Sequence, residues 1–408
     1  MKNYDLIVVG GGLSGVAAAV SAAREGLKVL LIEKEGSLGG AMSNNLVYPF
    51  MRVTTSEPAK IVNKGIFEEM TERYKKYNEP FYESYKFVFD DMVTEAGVDV
   101  LFHATMFKVN YEGRQIKSVS VSTVASILEF SANYFIDATG DGEIISMSGC
   151  EFQLGRESDE LCQPLTTCFR VAGVDTEKFR KEYKDIQQLY KQKRELGEIK
   201  NPRENILAFF SLGNGVIHFN TTRVIKHNPT NAVELSKAEI IARRQIVEML
   251  NFLRQNSTAF DNAYVISIAN SIGVRESRKL KGEYVLTAED IISCKEFEDT
   301  IALGCYEIDI HNPEGTGTHI HYFENGEYYK IPYRSLLPKE YDNMLVAGRC
   351  LSADHTAHSA VRIMPICACL GQAAGTAIAL ALKSNANTHT VNIKELQKKL
   401  IENGACIK

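Results

Sequence analysis

The stretch "KNYDLIVVGGGLSGVAAAV", residues 2–20, decides how the amino-terminal part of this chain folds. Its apolar run ends at Val9 without polar alternation, which predicts a short strand buried on both faces. Gly10, Gly12 and Gly15 follow with the spacing G-x-G-x-x-G and open an alanine-rich stretch, residues 13–25, that predicts a helix. The free N–H groups and partial positive charge of a helix N-terminus favour a diphosphate. This stretch therefore predicts the strand, turn and helix of a nucleotide-binding unit.

The residues that follow complete the unit and end on an acid. Residues 27–33, "LKVLLIE", predict a second buried strand that ends at Glu33. This carboxylate follows the glycines by roughly 20 residues, a spacing at which it can accept hydrogen bonds from ribose hydroxyls. The alternative is a glycine-rich turn in an ordinary α/β domain, and the order of strand, turn, helix, strand and acid disfavours it. The motif alone does not distinguish NAD from FAD.

Composition sets bounds on size, partners and redox state. The chain has 408 residues, enough for about two domains, and 45% of them are hydrophobic, enough for substantial cores. Its formal net charge of −5 gives no electrostatic reason to expect nucleic acid. Nine cysteines are scattered without a C-x-x-C pair. This pattern predicts reduced thiols in a cytoplasmic protein, and neither a redox dithiol nor a metal site.

The rest of the chain predicts helices and strands around a mixed middle. Helices are predicted at residues 58–78, 80–96, 176–196 and 236–255, strands within 98–143, 262–291 and 343–350, a hairpin over 205–224 around Gly213-Asn214-Gly215, and a loop over 306–323. The apolar side of the helix at 236–255 would be formed by Ile240, Ile241, Val247, Leu250 and Leu253. The apolar stretch 366–382 is short for a membrane span, so it predicts a buried helix.

Four stretches together resemble a known family: "VVGGGLSGVAAA" (8–19), "LLIEKEGSLGGAMSNNLVYPF" (30–50), "FIDATGDGE" (135–143) and "NMLVAGRCLSADHTAHSAVRIMPICACLGQAAG" (343–375). They are similar to the FAD-dependent oxidoreductases of the glutathione-reductase-like superfamily, in the branch related to the fumarate reductase flavoproteins. The resemblance implies an α/β fold with a discontinuous Rossmann-like FAD-binding domain. Its two parts would be residues 1–150, with a helical insert at 58–96, and residues 336–408. An α+β substrate domain would be inserted at 151–335.

The resemblance also implies which residues hold FAD. Gly10, Gly12 and Gly15 would hold the pyrophosphate and Glu33 the adenosine ribose. The full set implied to contact FAD is Gly10, Gly12, Leu13, Ser14, Gly15, Glu33, Lys34, Gly39, Gly40, Ala41, Met106, Gly140, Asp141, Gly348, Arg349 and Pro365. The helix that starts near Pro365 would direct its positive N-terminus at the flavin pyrimidine edge. The segment "SNN" at 43–45 departs from similar sequences, which often have a small residue and glycine there.

Five residues are candidates for chemistry at the flavin: His311, His355, His358, Arg362 and Arg275. The histidines can donate protons near neutral pH, and the alternative is that they are structural side chains with satisfied hydrogen bonds. Arg362 can bind an anionic substrate group or form an ion pair within the protein. Arg275 and Arg278 flank Glu276, so this arginine pair can likewise bind a carboxylate or join two domains.

These observations predict an FAD-dependent oxidoreductase that transfers a hydride between the flavin and a small organic substrate. One alternative is RNA modification, which needs a basic face such as Arg278, Lys279 and Lys281 could form. Another is a non-catalytic FAD-binding redox sensor or scaffold. The sequence leaves open whether the flavin is covalently linked to a histidine and whether the protein forms a homo-oligomer. A small-molecule substrate is the expected partner, and neither nucleic acid nor a membrane is expected.

Overall fold

The computed structural model of the chain describes residues 3–77, 82–213 and 215–408. Its helices are α1 (Leu13–Arg24), α2 (Ile66–Tyr77), α3 (Tyr85–Glu95), α4 (Glu143–Ser148), α5 (Thr176–Glu195), α6 (Ala232–Asn256), α7 (Ala288–Ile292), α8 (His355–Val361), α9 (Met364–Lys383) and α10 (Ile393–Glu402). Residue 78, residues 80–81 and Asn214, which belong to two predicted helices and the predicted hairpin turn, lie outside the described residues.

The strands lie between these helices, singly or in runs of consecutive strands. They are β1 (Asn3–Val9), β2 (Val29–Ile32), β3 (Asp99–Leu101), β4 (Thr105–Glu112), β5 (Gln115–Ser122), β6 (Ile127–Asp137), β7 (Phe152–Leu154), β8 (Phe169–Ala172), β9 (Ala208–Phe209), β10 (Ile217–Phe219), β11 (Tyr264–Ile268), β12 (Arg278–Leu280), β13 (Thr300–Gly304), β14 (Ile308–His311), β15 (Thr318–His321), β16 (Tyr329–Pro332) and β17 (Met344–Val346).

A mixed sheet in the order β3-β2-β1-β6-β5-β4 forms the centre of the molecule. β1 pairs in parallel with β2 and β6, and β17 pairs in parallel with the last residues of β6. The register places Val9 beside Ile32 and Asp137, and Asp137 beside Val346. β3 also pairs in parallel with β2, so five parallel strands end at one edge. Because β17 comes from the carboxyl-terminal part of the chain, both ends of the chain build one Rossmann-like α/β fold.

Helices α1 and α9, which come from opposite ends of the chain, also pack against each other. A Cβ at Gly371 would overlap the carbonyl oxygen of Ser14, and a Cβ at Gly375 would overlap that of Ala18. Glycine is therefore required at both positions for the two backbones to approach so closely. By length and composition α9 could cross a membrane, but 89% of its apolar window is buried inside the molecule. This burial agrees with the predicted core helix.

The middle of the chain forms a smaller antiparallel sheet in the order β11-β8-β10-β9. Helices α5 and α6 share its core with side chains such as Phe169 and Phe219. The helices predicted at 176–196 and 236–255 are confirmed, but the apolar side predicted for the second is partly wrong. Ile240 is 49% exposed and Val247 is 58% exposed. The side of α6 that faces the core instead contains Ile246 and the other buried residues of this helix.

Three other predictions of local structure are corrected. The helix predicted from residue 58 begins at Ile66, directly after Gly65, whose φ of +67° is not helical. The loop predicted at 306–323 contains the hairpin β14–β15, in which His311 lies opposite Thr318. Strand β3 pairs in parallel with β2 instead of joining the predicted meander. The domain boundary at residue 335 stays a prediction, and buried side chains from Leu280 to Leu337 share the core of the main sheet.

Candidate functional site

A cavity of about 810 Å³ opens where the parallel strands end and extends to the smaller sheet. The carboxyl edge of an open parallel sheet is the usual ligand site of such folds, and this volume is typical of small-molecule sites. We call the part lined by the loops after β1, β2 and β6 the nucleotide end. We call the part lined by Arg203, Arg275 and Arg362 the arginine end.

Two glycine loops meet at the nucleotide end. Gly39 donates its N–H to the carbonyl oxygen of Gly11 at 2.8 Å, and Gly40 packs directly against Gly12. A Cβ at Gly12 would meet no atom within 4 Å, although Gly12 lines the cavity. The backbone at the N-terminus of α1 is therefore open to a ligand. This arrangement fits a diphosphate, which needs close backbone approach and N–H donors.

Glu33 is held in place beside these glycines. It is only 6% exposed, its Oε2 accepts the Gly11 N–H at 2.5 Å, and its Oε1 accepts the Glu35 N–H at 2.8 Å. A carboxylate oxygen has two lone pairs, so each oxygen can accept one more hydrogen bond from the cavity side. The position fits a ribose, whose two neighbouring hydroxyls are donors.

An ion pair joins the loop after β6 to the loop after β17 on the cavity wall. Arg349 Nη2 lies 2.7 Å from Asp141 Oδ1, and Arg349 Nη1 donates to Ser277 Oγ at 2.9 Å. Burial alone would raise the pKa of Asp141, but the Arg349 charge and the Ser277 hydrogen bond lower it below its usual range. Gly140, with a φ of +74°, lets the Arg349 guanidinium lie against the backbone. Both ends of the chain therefore contribute to the nucleotide end.

Most residues that the sequence assigns to FAD line the cavity. They are Gly10, Gly12, Leu13, Ser14, Glu33, Lys34, Gly39, Gly40, Ala41, Met106, Gly140, Asp141 and Arg349. Gly15, Gly348 and Pro365 lie outside this lining, and their assignment as direct contacts of FAD stays a prediction. A Cβ at Gly15 would overlap the Gly10 carbonyl oxygen, and one at Gly348 would lie 2.6 Å from Ser14 Oγ. Both glycines permit close packing behind the site, and Pro365 is buried behind the lining residue Met364.

At the arginine end, Arg275 is held by neutral acceptors. Its Nη1 donates to the Pro164 carbonyl oxygen at 2.7 Å and to Thr166 Oγ1 at 2.5 Å. Burial, followed by the charges of Arg362 and Arg203, lowers the pKa of Arg275 to about 9. The guanidinium is therefore desolvated among like charges.

The other two arginines are also left without acids. Arg362 Nη2 donates to Gln163 Oε1 at 3.3 Å, and the buried Arg362 Nε has no partner. Arg203 Nε donates to Asn205 Oδ1 at 3.0 Å. Over residues 3–77, 82–213 and 215–408, no carboxylate oxygen lies within 4.0 Å of the guanidinium nitrogens of these arginines or of Arg275. These three guanidinium groups therefore lack a direct ion pair, although the Glu204 and Asp309 carboxylates line the same part of the cavity.

His311 lines the arginine end but is not a free acid. Its Nδ1 lies 2.9 Å from Arg223 Nη2, and its Nε2 lies 3.3 Å from Asp309 Oδ2. Burial and then the Arg275 charge lower the pKa of His311 to about 3. The prediction that His311 donates a proton directly is therefore corrected, because the ring is neutral at physiological pH. Both ring nitrogens are engaged, so neither is free for the covalent flavin link that the sequence left open.

His355 and His358 lie outside the cavity lining, and a direct role on a substrate stays a prediction for both. His355 Nδ1 lies 3.0 Å from Glu276 Oε1, and His358 is fully buried with its Nε2 donating to the Arg349 carbonyl oxygen at 2.8 Å. Glu276 also pairs with Lys279, and both side chains are 0% exposed. These residues form a buried structural cluster behind Arg349.

The predicted arginine pair around Glu276 is wrong as well. Arg275 turns into the cavity, while Arg278 donates to the Asp141 carbonyl oxygen at 3.1 Å. The chain bends at Arg275 before β12 begins at Arg278, and Glu276 pairs with Lys279 instead. Because Lys279 is completely buried, it cannot contribute to the basic surface that RNA modification would need.

Several cavity residues were missed by reasoning from the sequence. Arg203, Tyr306 and Asp309 line the arginine end, and Asn45 of the "SNN" segment lines the cavity while its Nδ2 donates to the Ser271 carbonyl oxygen at 2.8 Å. Tyr306 and Asp309 belong to the stretch 306–323, which also contains His311, so their proximity to His311 in the sequence was a usable signal. Arg203 lies about 70 residues from Arg275 and has no local motif.

Three buried histidines make the folded state sensitive to acid. Burial lowers the pKa of His218 to about 3, as for His311, and lowers that of His358 well below its usual range. The unfolded chain binds protons on these rings below about pH 6.5, whereas the folded chain does not. We therefore expect stability to fall from pH 6.5 toward pH 3, with uptake of about three protons on unfolding at pH 5. Urea unfolding at several pH values measures this slope, and His311→Gln should reduce the uptake by about one.

Comparison with known proteins agrees with this geometry. Over 159 residues the chain is 28% identical to thiamine thiazole synthase from Metallosphaera sedula, which covers 35% of this chain and 57% of that protein. Over 42 residues it is 52% identical to dihydrolipoamide dehydrogenase from Chaetomium thermophilum, covering 10% and 8%. The aligned parts thus span less than two thirds of these relatives.

A solved structure and a family model extend the comparison to nearly the whole chain. A geranylgeranyl bacteriochlorophyll reductase-like protein from Thermoplasma acidophilum superposes with a TM-score of 0.48 at 15% identity, covering 99% of this chain and 85% of that chain. The family model described as FAD dependent oxidoreductase matches residues 5–400. With the open glycine loops, the ordered Glu33 and the joined chain ends at one cavity, this match shows that the chain belongs to the FAD-dependent oxidoreductase family and that its cofactor is FAD.

Proposed function

We propose that this protein exchanges a hydride between FAD and a small organic substrate that carries an anionic group. When bound, FAD supplies the acceptor or donor of two electrons. The proposal includes two further points. The protein belongs to the fumarate-reductase-related branch suggested by the sequence, and the arginine end is the substrate chamber.

The observation that carries the proposal is the group of three arginines at the arginine end, none of which has a direct ion pair among the described residues. Arg275 has only neutral acceptors, Arg203 bonds to an amide oxygen, and Arg362 keeps a buried Nε without a partner. Keeping several desolvated cations together is costly, so an anion bound among them would be strongly stabilised. The glycine loops, Glu33 and the Asp141–Arg349 pair all belong to the nucleotide end. The proposal therefore assigns the arginine end of the same cavity to a ligand other than the nucleotide.

The test measures anion binding and electron transfer in the FAD-loaded protein. We expect small carboxylates, but not their neutral amides, to perturb the flavin absorbance spectrum. In Arg275→Gln the dissociation constant for the carboxylate should rise about 10- to 100-fold, because one hydrogen bond to a charged group is lost. Arg334→Gln is the matched control, since Arg334 pairs with Asp299 away from the cavity lining.

Turnover is then tested in both directions without oxygen. Photoreduced protein is mixed with 2-oxo and unsaturated carboxylates, and oxidised protein with 2-hydroxy and 2-amino acids, while flavin absorbance is followed. We expect at least one of these carboxylates to reoxidise or bleach the flavin. A protein that binds FAD but reacts with none of them would contradict the proposed function and favour a non-catalytic flavoprotein.

A further inference from the structure

Tyr306 places a hydroxyl group at the arginine end. It lies between β13 and β14 on the cavity wall, is partly exposed, and is close enough to Arg362 for their charges to interact. Its Oη donates a hydrogen bond to Asp309 Oδ2 at 2.9 Å. A phenol that touches the cavity and is bonded to a carboxylate can pass a proton in either direction.

Asp309 is the acceptor at the far side of this hydroxyl. Its carboxylate meets Tyr306 and His311, and its backbone N–H donates to Ser359 Oγ at 3.1 Å. Burial would raise the pKa of Asp309, but the hydrogen bond from His311 and the charge of Arg362 hold it well below the usual range. Asp309 is therefore an ionised base at neutral pH.

The orientation of His311 is fixed by its other neighbour. A guanidinium group only donates hydrogen bonds, so the contact of Arg223 Nη2 with Nδ1 requires Nδ1 to accept and places the ring proton on Nε2. Arg223 is 1% exposed, and its Nη1 also pairs with Glu204 Oε2 at 3.1 Å. The Nε2–H of His311 consequently points at Asp309. Arg223 and His311 hold this carboxylate in position and keep it ionised.

We propose that Tyr306 is a catalytic residue that relays the substrate proton to Asp309, with His311 and Arg223 as positioning residues. This proposal rests on the proposed function. During substrate oxidation the O–H or N–H bond of the substrate breaks, and its proton bonds to Tyr306 Oη while the Tyr306 proton passes to Asp309 Oδ2. The electron pair left on the substrate forms the new C=O or C=N bond as the carbon loses its hydride to the flavin. Substrate reduction follows the same path backwards.

The test uses the FAD-loaded protein and whichever carboxylate of the panel above reacts fastest with the wild type. In Tyr306→Phe the rate of flavin reduction or reoxidation should fall about 10²- to 10⁴-fold, the range for loss of a proton-transfer residue. The carboxylate dissociation constant should change less than about threefold, since the arginines are intact. Tyr322→Phe is the control, because Tyr322 is 68% exposed and outside the cavity lining.

The positioning role of His311 is tested by a pH profile. In His311→Leu the Asp309 carboxylate loses the Nε2–H donor, so the pKa of Asp309 should rise. The rate of flavin reduction or reoxidation should then fall at acid pH values where the wild-type rate is constant. His311→Gln keeps an N–H donor and should restore much of the wild-type profile. Unchanged rates in Tyr306→Phe, or identical profiles in His311→Leu and wild type, would overturn the relay while leaving the proposed function standing. A wild type that reacts with no carboxylate would overturn both.

Discussion

Replacing Gly12 with valine is expected to abolish retention of FAD without unfolding the protein. A side chain at Gly12 meets no atom within 4 Å in the chain itself, and the backbone there has a φ of −66°, which any residue adopts. The same side chain occupies the space through which a diphosphate must reach the N-terminus of α1. Lost phosphate contacts, each a hydrogen bond to a charged group, should weaken FAD binding about 100-fold or more.

The measurement is the FAD content after purification, followed by titration of the apoprotein with FAD. Gly315→Ala is a matched control, because a Cβ at Gly315 also meets nothing within 4 Å but lies outside the cavity lining. Far-UV circular dichroism and the thermal midpoint of the apoprotein should be unchanged in both variants. Wild-type affinity for FAD in Gly12→Val would show that the glycine turn does not hold the diphosphate.

Replacing Glu276 with alanine is expected to cause the largest loss of stability. Glu276 and Lys279 are both 0% exposed, and Lys279 Nζ otherwise has only the Gly155 carbonyl oxygen as a partner. Removing one partner leaves a buried charge uncompensated, which typically costs about 3–5 kcal/mol. Burial would raise the pKa of Glu276, but the His355 hydrogen bond and the Lys279 charge lower it to about 2. Glu276 is therefore ionised at neutral pH, and urea unfolding at pH 7 measures the loss of stability.

The double variant Glu276→Leu with Lys279→Met separates pairing from simple disruption. Removing both charges together leaves no unpaired ion, so most of the stability should return. The double variant also tests whether Glu276 pairs with Lys279. If Arg275 and Arg278 held the Glu276 carboxylate instead, replacing Lys279 would not restore the stability that Glu276→Leu removes. Equal stability of Glu276→Ala and wild type would contradict a charged pair at this position.

The nucleotide-binding half of the molecule could be predicted because its signals are local. The strand ending at Val9, the three glycines and Glu33 lie within one βαβ unit, and the backbone demands of that unit select glycine directly. The apolar stretch 366–382 likewise predicted a buried helix, and α9 is buried and meets the α1 backbone at Gly371 and Gly375. Local patterns of this kind specify which element forms and where its glycines must stand.

The arginine end and the buried cluster of Glu276, Lys279 and His355 could not be predicted in the same way, because their contacts join distant segments. His355 and Glu276 are 79 residues apart and Arg223 and His311 are 88 apart, and no periodic pattern connects them. Whether a histidine is an acid or a neutral donor depends on the groups that surround it after folding. His311 therefore looked like a proton donor in the sequence, whereas burial and the Arg275 charge lower its pKa to about 3, and the contact with Arg223 fixes its tautomer.

The most direct test of the account is a crystal structure of the FAD complex. We expect continuous density for the cofactor in the cavity, with the diphosphate at Gly12, the ribose at Glu33 and the flavin ring toward Arg362. The chamber between the ring and Tyr306 should remain open to a substrate. FAD bound anywhere else, or a flavin that fills the arginine end and leaves no such chamber, would contradict the account.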